Sequence, residues 1–283
     1  MNIEIGLQLY SVRNGLQQDY LGTLEKVAEV GYKNVELLSR VTDDGLQFGG
    51  GLSPAEHGRL LERLGLKAAA CHVMPTPGMD WERVIDSGLA TGANALVIPF
   101  ALFNSRQDVL AFCERTSQGA ELCRKKSVQL YYHNHFQEFQ KFEGQMVLDT
   151  MLENFDPDLV MFEFDSYWAV RGGQDPVEWL RKFGKRCDLL HQKDLPPGVN
   201  PVNLFDLTAQ NPESGMQDMF KAIKPDQFVE IGTGVLPIAE IIQAGCTYGG
   251  ARYVIVEQDQ TGRTEFESIE ISYQNLSRLL QLA

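Results

Sequence analysis

Several features that mark secreted, membrane-bound or zinc-stapled proteins are missing from this chain. Its cysteines are odd in number and have no close CxxC spacing, which argues against a disulfide framework and a zinc ribbon. They are Cys71, Cys113, Cys123, Cys187 and Cys246. No apolar run approaches the ~20 residues that span a bilayer, and the N-terminus lacks the pattern of a secretory signal. We therefore expect a cytoplasmic protein with no membrane partner.

Positive charge is also scarce. The 25 Lys and Arg residues face 38 Asp and Glu residues, for a formal net charge of −13. Proteins bind nucleic acids through basic surfaces that displace counterions from the phosphates. Because this chain is acidic, we expect no nucleic-acid partner. The string His133-Asn134-His135 does not alter this expectation, because the rest of an HNH nuclease signature is absent. The composition is otherwise that of a soluble globular protein, and it leaves homo-oligomerisation open.

The chain has no GxGxxG after its first strand-like run, which removes the main signature of a dinucleotide-binding fold. Instead, short apolar runs alternate with helical patterns throughout. The predicted strands are 3–12, 34–38, 66–75, 95–100, 128–135, 159–165, 187–194 and 252–259. Strict alternation predicts a parallel sheet, and eight units favour a single-domain (β/α)8 TIM barrel over residues 1–283. The long irregular segment 194–227 follows strand seven and is predicted to be a lid or substrate-binding loop.

Ionisable side chains gather at the predicted carboxyl ends of these strands. In a (β/α)8 barrel these ends share one mouth, where the chemistry takes place. Side chains two positions apart share a face, so three pairs are expected to point inward at two depths. The pairs are His133 with His135, Glu163 with Asp165, and His191 with Lys193. Burying so many unpaired charges would cost several kcal/mol each, so we predict that a divalent cation compensates them.

Seven motifs in order resemble one family over essentially the whole chain. They are GLQLYSVR (6–13), NVEL (34–37), YHNHFQEF (132–139), FEFDSYWAVRGGQDPVEWL (162–180), LLHQKD (189–194), EIGTGVLP (230–237) and VEQD (256–259). The chain is similar to the xylose isomerase-like TIM-barrel superfamily, in its sugar phosphate isomerase/epimerase branch.

The resemblance implies one divalent metal held at the ends of strands five to eight, typically by Glu, Asp, His and Glu. Carried over, Asp165, His191 and Glu257 match the last three ligands. The strand-five position, where many relatives have Glu, falls on His133. Imidazoles and carboxylates suit Mn²⁺, Co²⁺, Mg²⁺ or Zn²⁺.

The ketose 3-epimerases of the superfamily use two metal-bound glutamates that face each other across the substrate. Of that pair only Glu257 is present here, so we assign it the role of catalytic base. Glu138 lies just beyond strand five and can supply a second carboxylate, as can Glu163. Lys193 is assigned to catalysis as an acid or oxyanion partner, with pairing to Asp165 or Glu163 as the alternative.

Five further residues are predicted to bind the substrate. Glu36, His72 and His135 can hold hydroxyl groups, and Tyr10 and Trp168 offer flat faces on which a sugar ring can stack.

Three functions remain open at this point. The favoured one is a metal-dependent sugar isomerase or epimerase that abstracts a proton beside the carbonyl of a ketose, keto-sugar or cyclitol. The second is a lyase of the inosose dehydratase or 3-keto-glycoside-cleaving type, which needs one base and one acid rather than two matched bases. The third is a catalytically silent carbohydrate-binding barrel.

Overall fold

The computed structural model describes residues 3–198 and 216–282 and contains a closed barrel of eight parallel strands. The strands are β1 (Glu4–Gln8), β2 (Asn34–Leu38), β3 (Lys67–His72), β4 (Ala95–Ile98), β5 (Gln129–His133), β6 (Val160–Asp165), β7 (Leu189–Gln192) and β8 (Tyr253–Val256). They follow one another around the barrel in chain order, and β8 pairs with β1. The predicted (β/α)8 barrel is therefore confirmed. The predicted lid, 194–227, lies partly outside the described residues.

Six of the eight strands are shorter than predicted at their carboxyl ends, and β2 and β6 end where predicted. β1 ends at Gln8 and continues as a 3-10 helix over Leu9–Val12, where we predicted strand to residue 12. β5 ends at His133, so His135 lies beyond it. Lys193 and Glu257 likewise follow the last residues of β7 and β8. His135, Lys193 and Glu257 therefore lie at the rim, where the backbone leaves the sheet, and the loops position them.

Helices surround the barrel between its strands. They are α1 (Arg13–Gln18), α2 (Tyr20–Val30), α3 (Pro54–Arg63), α4 (Trp81–Ala90), α5 (Arg106–Lys125), α6 (Val147–Asn154), α7 (Ser166–Arg171), α8 (Pro176–Phe183), α9 (Met216–Lys221), α10 (Ile238–Ala244) and α11 (Glu265–Leu282). Two short antiparallel hairpins, at 40–47 and 141–146, are inserted after β2 and β5. Ser53 caps α3, since its hydroxyl accepts from the backbone N–H of Glu56 and Pro54 is the first helical residue.

Most of the apolar core lies between the barrel and its helices. A smaller cluster of Ala70, Ala95, Val97, Tyr131 and Leu189 lies apart from that core. The mouth of the barrel differs from this core, because polar and charged side chains are buried there. Among the described helices, none is both long and apolar enough to cross a membrane.

Candidate active site

A pocket of about 570 Å³ opens at the carboxyl ends of the strands. Its polar lining includes His72, His133, His135, Glu257 and Asp259. Its apolar lining comes from Met74, Pro99, Phe100, Trp168, Phe220, Ile223 and Phe228. The volume lies in the range of small-molecule sites, and convergent polar groups in an apolar setting are typical of them.

The first of two polar layers, here called the inner layer, consists of Gln8, Glu36, His72, His133, Glu163 and His191. Strand register assembles it, because Glu163 pairs with His133 across β5 and β6. A register shift between Val35 and Glu36 interrupts the pairing of β2 with β3, and such bulges re-aim side chains beside active sites.

Two carboxylate oxygens lie at the centre of the inner layer. Glu36 Oε2 lies 2.9 Å from His72 Nε2 and 2.7 Å from His191 Nε2. Glu163 Oε2 lies 3.3 Å from the same His72 nitrogen and 3.2 Å from the same His191 nitrogen. It also lies 3.2 Å from His133 Nδ1. Gln8 completes the layer, because its Nε2 donates to Glu36 Oε2 at 2.6 Å.

The electrostatics of the inner layer separate its two carboxyl groups. Burial raises the pKa of Glu163 to about 7, and the nearby charge of Glu36 adds to the increase. Burial acts on Glu36 in the same direction, but the charges of His72 and His191 outweigh it and lower the pKa of Glu36 below its usual range. Two buried carboxylates this close favour a shared positive partner.

The second layer, here called the outer layer, consists of Asp165, Lys193, Glu257 and Asp259. Lys193 Nζ lies 2.5 Å from both Asp165 Oδ2 and Glu257 Oε2, and 3.9 Å from Asp259. Burial acts against the ammonium, but the charges of these three carboxylates raise the pKa of Lys193 well above its usual range. Burial likewise acts against the charged form of Glu257, but Lys193 and His191 lower the pKa of Glu257 well below its usual range. The outer layer thus contains a permanent cation of its own.

Local structure fixes Asp165 in this layer. Its Oδ1 accepts from the backbone N–H of Trp168 at 2.8 Å and caps α7. Its Oδ2 is left for Lys193.

The layers are joined by His191. Its Nε2 faces the two inner carboxylates, and its Nδ1–H donates to Glu257 Oε2 at 3.0 Å.

Three of the predicted substrate-binding residues beyond the two layers line the pocket: Tyr10, His135 and Trp168. The His135 ring lies 5.5 Å from the Trp168 ring and 5.5 Å edge-on from Phe100. Burial lowers the pKa of His135 to about 3, so its imidazole is neutral. His135 Nδ1 and Trp168 Nε1 are buried and have no hydrogen-bond partner among the described residues. Both are therefore available to a ligand.

Three other predicted site residues are buried away from the pocket wall. Glu36 lies beneath His72 and His191. Glu138 accepts from Tyr132 Oη at 2.6 Å and from the His135 backbone N–H at 2.8 Å, so it supports the loop that carries His135. Lys193 lies behind Glu257 and pairs with Asp165, which is the alternative arrangement raised from the sequence.

Sequence reasoning gave several residues of the mouth no definite role. Gln8 and Glu163 were visible at strand ends, but only the register and the β2 bulge reveal that they meet Glu36 and the histidines. Phe100 lies two residues after the end of β4, and its position at the end of the predicted strand 95–100 was the available signal. Phe220 and Phe228 come from the segment after β7, and no local pattern indicates that they reach the mouth.

Two overlapping groups of buried residues can hold a metal ion, and in each group the ligand atoms lie within 4.8 Å of one another. One is the predicted set, His133, Asp165, His191 and Glu257; the other is His72, His133, Glu163 and His191. Imidazoles with carboxylates fit a divalent cation of the borderline class. In addition, Glu36 Oε1 and Glu163 Oε1 are buried without a hydrogen-bond partner among the described residues. Donor chemistry and unpaired oxygens therefore both fit a bound divalent cation.

No family model matches the chain. Among curated proteins, an inosose dehydratase of Bacillus cereus is 28% identical over 149 residues, which are 52% of this chain and 46% of that protein. The chain thus spans about half the length of the curated relatives it matches.

Solved structures match over nearly the full chain. A sugar phosphate isomerase/epimerase from Parabacteroides distasonis is 27% identical with a TM-score of 0.74, covering 98% of this chain and 94% of that one. A xylose isomerase domain protein from Alicyclobacillus acidocaldarius covers 99% of both chains with a TM-score of 0.70, and at 14% identity it supports the fold alone. The resemblance read from the sequence is confirmed, since the chain's structural neighbours are xylose isomerase-like and sugar phosphate isomerase/epimerase TIM-barrel proteins.

Proposed function

We propose that the protein is a cation-dependent enzyme that removes a proton from the carbon beside the carbonyl of a keto-sugar or cyclitol ketone, and that elimination of a neighbouring hydroxyl or glycosyl group follows. The observation that carries this proposal is the position of Glu257. Its carboxylate lines the pocket beside the two histidines shared by both candidate metal groups.

Glu257 is built to act as the base. Lys193 and His191 both donate to its Oε2 and keep it ionised and oriented. A positioned carboxylate at the wall of a largely apolar pocket can accept a proton from carbon, provided that the resulting negative charge is stabilised. A bound divalent cation would supply that stabilisation as a Lewis acid toward the carbonyl oxygen.

Among the residues that the structure describes, no carboxylate lines the pocket wall opposite Glu257. β4 lies four strands away from β8 on either side, directly across the barrel. It ends at Ile98 and is followed by Pro99 and Phe100 on the pocket wall. Among the described residues, Glu257 and Asp259 are the only carboxylates in the lining, and both follow β8. This arrangement argues against two-glutamate epimerisation and favours a reaction that one base can complete.

Elimination meets that requirement. The proton moves from carbon to Glu257, the electron pair of the C–H bond forms a C=C bond, and the C–O bond at the next carbon breaks. The departing oxygen then takes up the proton that Glu257 received, so that water or an alcohol leaves and no other reactant is needed. His135, with its neutral imidazole, lies at the wall to donate a hydrogen bond to a substrate oxygen.

Among the similar proteins, the Bacillus cereus relative is named as a dehydratase, and the Parabacteroides distasonis protein is named as an isomerase/epimerase. Single-base isomerisation, the function favoured from the sequence, is therefore the second candidate. It uses the same proton abstraction, but the proton returns to the neighbouring carbon.

The two reactions separate in D₂O. Protein loaded with Mn²⁺ is incubated with ketoses, inosose and 3-keto-glycosides, and the products are followed by NMR and mass spectrometry. Elimination predicts unsaturated products together with released water or aglycone. Deuterium uptake with all oxygens retained would instead establish isomerisation. Sugar binding without exchange would contradict both and leave a silent carbohydrate-binding barrel.

A further inference from the structure

The divalent cation required by the proposed function has two candidate binding sites, here called the inner seat and the outer seat after the layers that contain them. They differ in which groups already compensate the negative charge of their carboxylates. In the outer layer, Lys193 binds Asp165 and Glu257 at 2.5 Å each. A cation between those two carboxylates would have to share them with a buried ammonium group. In the inner layer, no Lys or Arg side chain among the described residues pairs with Glu36 or Glu163.

Well-aligned hydrogen bonds account for only part of the short nitrogen–oxygen distances in the inner layer. A ring nitrogen carries at most one hydrogen, and that hydrogen points in one direction in the ring plane. His72 Nε2 and His191 Nε2 each face both Glu36 Oε2 and Glu163 Oε2 at 2.7–3.3 Å. One N–H aligns well with only one of two oxygens from different residues, so without a cation part of this convergence consists of shared, poorly aligned hydrogen bonds.

A cation explains the same distances. Nitrogen and oxygen ligands bind divalent metals at about 2.0–2.2 Å, which places neighbouring ligand atoms about 3 Å from each other. The inner nitrogens and oxygens have this spacing. The remaining oxygens, Glu36 Oε1 and Glu163 Oε1, are buried and have no hydrogen-bond partner among the described residues. A bound cation would also compensate the negative charge on these atoms.

The hydrogen bonding of His191 is compatible with the same seat. A histidine that binds metal through one nitrogen commonly donates its second N–H to a carboxylate, which fixes the ring. His191 directs Nε2 to the inner carboxylates and donates from Nδ1 to Glu257 Oε2 at 3.0 Å. In the outer seat the two nitrogens would exchange roles, with Nδ1 as the ligand and Nε2–H donating to Glu36 Oε2 at 2.7 Å, so His191 fits either seat and Lys193 distinguishes them.

We infer that the divalent cation is bound in the inner layer, by His72, His133, Glu163 and His191 with Glu36 beside them, and not by the set that includes Asp165 and Glu257. The outer layer then serves proton transfer, with Lys193 holding Glu257 in place. This inference rests on the cation dependence in the proposed function but not on which reaction follows.

Strand β6 supplies a matched pair of test variants. Glu163→Gln and Asp165→Asn each replace a buried carboxylate by the amide, two residues apart, at the inner and outer levels. Mn²⁺ affinity of the full chain is measured by isothermal titration calorimetry after chelator treatment. We expect Glu163→Gln to weaken binding by at least about 100-fold and Asp165→Asn by less than about 5-fold.

Other outcomes overturn the inference. A larger loss in Asp165→Asn, equal losses in both variants, or failure of the unmodified protein to bind Mn²⁺ would each contradict the inner seat. Circular dichroism checks folding, and if Glu163→Gln does not fold, His72→Asn removes a ligand that only the inner seat uses and must weaken binding. If Asp165→Asn protein that has lost Mn²⁺ still exchanges protons into substrate, the cation dependence itself is refuted. If added Mn²⁺ restores exchange in Glu163→Gln but not in Asp165→Asn, only the inner seat is refuted.

Discussion

The two layers at the barrel mouth compensate buried carboxylates in different ways. In the outer layer a lysine on the loop after β7 bonds to carboxylates from β6 and β8. In the inner layer two carboxylates are surrounded by imidazoles and an amide, none of which is a permanent cation. Lys193 therefore compensates the outer layer from within the chain, whereas in the inner-seat proposal a bound divalent cation compensates the inner layer.

The largest effect is expected from the proposed base. Glu257→Gln keeps the size of the side chain but removes its ability to accept a proton, so substrate exchange in D₂O should fall by about 10²–10⁴-fold. The control is Glu230→Gln, a similarly buried carboxylate that pairs with Arg263 and does not line the pocket. Exchange at the normal rate in Glu257→Gln would show that the base lies elsewhere.

The second effect concerns the intrinsic cation. Lys193→Met leaves Asp165 and Glu257 buried without their partner, and breaking a buried pair in this way costs about 3–5 kcal/mol. Urea denaturation measures the free energy of unfolding. Lys182→Met, which removes the exposed pair with Asp149, should cost less than about 1 kcal/mol. If the two variants lose equal stability, the outer layer does not depend on its lysine.

These features differ in how far the sequence predicts them. Alternating apolar runs predict the barrel, and the strand ends predict which residues reach the mouth, because both depend on local periodicity. The depth of each side chain in the barrel mouth is harder to predict. Whether Glu163 contacts His133, or Asp165 contacts Lys193, depends on strand register and on the bulge at Glu36. Family resemblance directed attention to Asp165 and Glu257 as ligands, whereas the sequence raised the pairing of Lys193 with Asp165 only as an alternative.

A third prediction uses His57, a buried imidazole that forms no ion pair with a carboxylate among the described residues. Burial lowers the pKa of His57 to about 4, while its Nε2 lies 2.5 Å from Tyr20 Oη. Between pH 6.5 and 4 the unfolded chain binds a proton that the folded chain excludes, so stability falls as the pH falls through this window. The contribution is roughly 2–3 kcal/mol.

The measurement is the free energy of unfolding against pH for the unmodified protein and His57→Gln, which retains a polar partner for Tyr20. The variant should lose less stability between pH 6.5 and 4. Parallel curves would mean that His57 is not responsible. His72 and His191 of the inner layer differ from His57, because burial is outweighed by the charges of the carboxylates they face, which raise the pKa of each imidazole.

The smallest effect is expected at the pocket wall beside the outer layer. Trp168 Nε1 is buried without a partner among the described residues, and the ring lies 5.7 Å from Lys193 Nζ. Trp168→Phe removes the N–H and keeps an aromatic face. Substrate KM should rise about 5- to 10-fold with little change in kcat, as for one lost hydrogen bond of about 1 kcal/mol. A fall in kcat at unchanged KM would place Trp168 in the chemistry instead.

The most direct test of the division between the layers is the position of the cation itself. Crystals of the protein grown with Mn²⁺ would be measured near the manganese absorption edge, and the anomalous difference map would locate the ion. We predict a peak in contact with Glu163 Oε2 and His72 Nε2, with Lys193 still bonded to Asp165 and Glu257. A peak between Asp165 and Glu257, with Lys193 displaced, would contradict the inner seat.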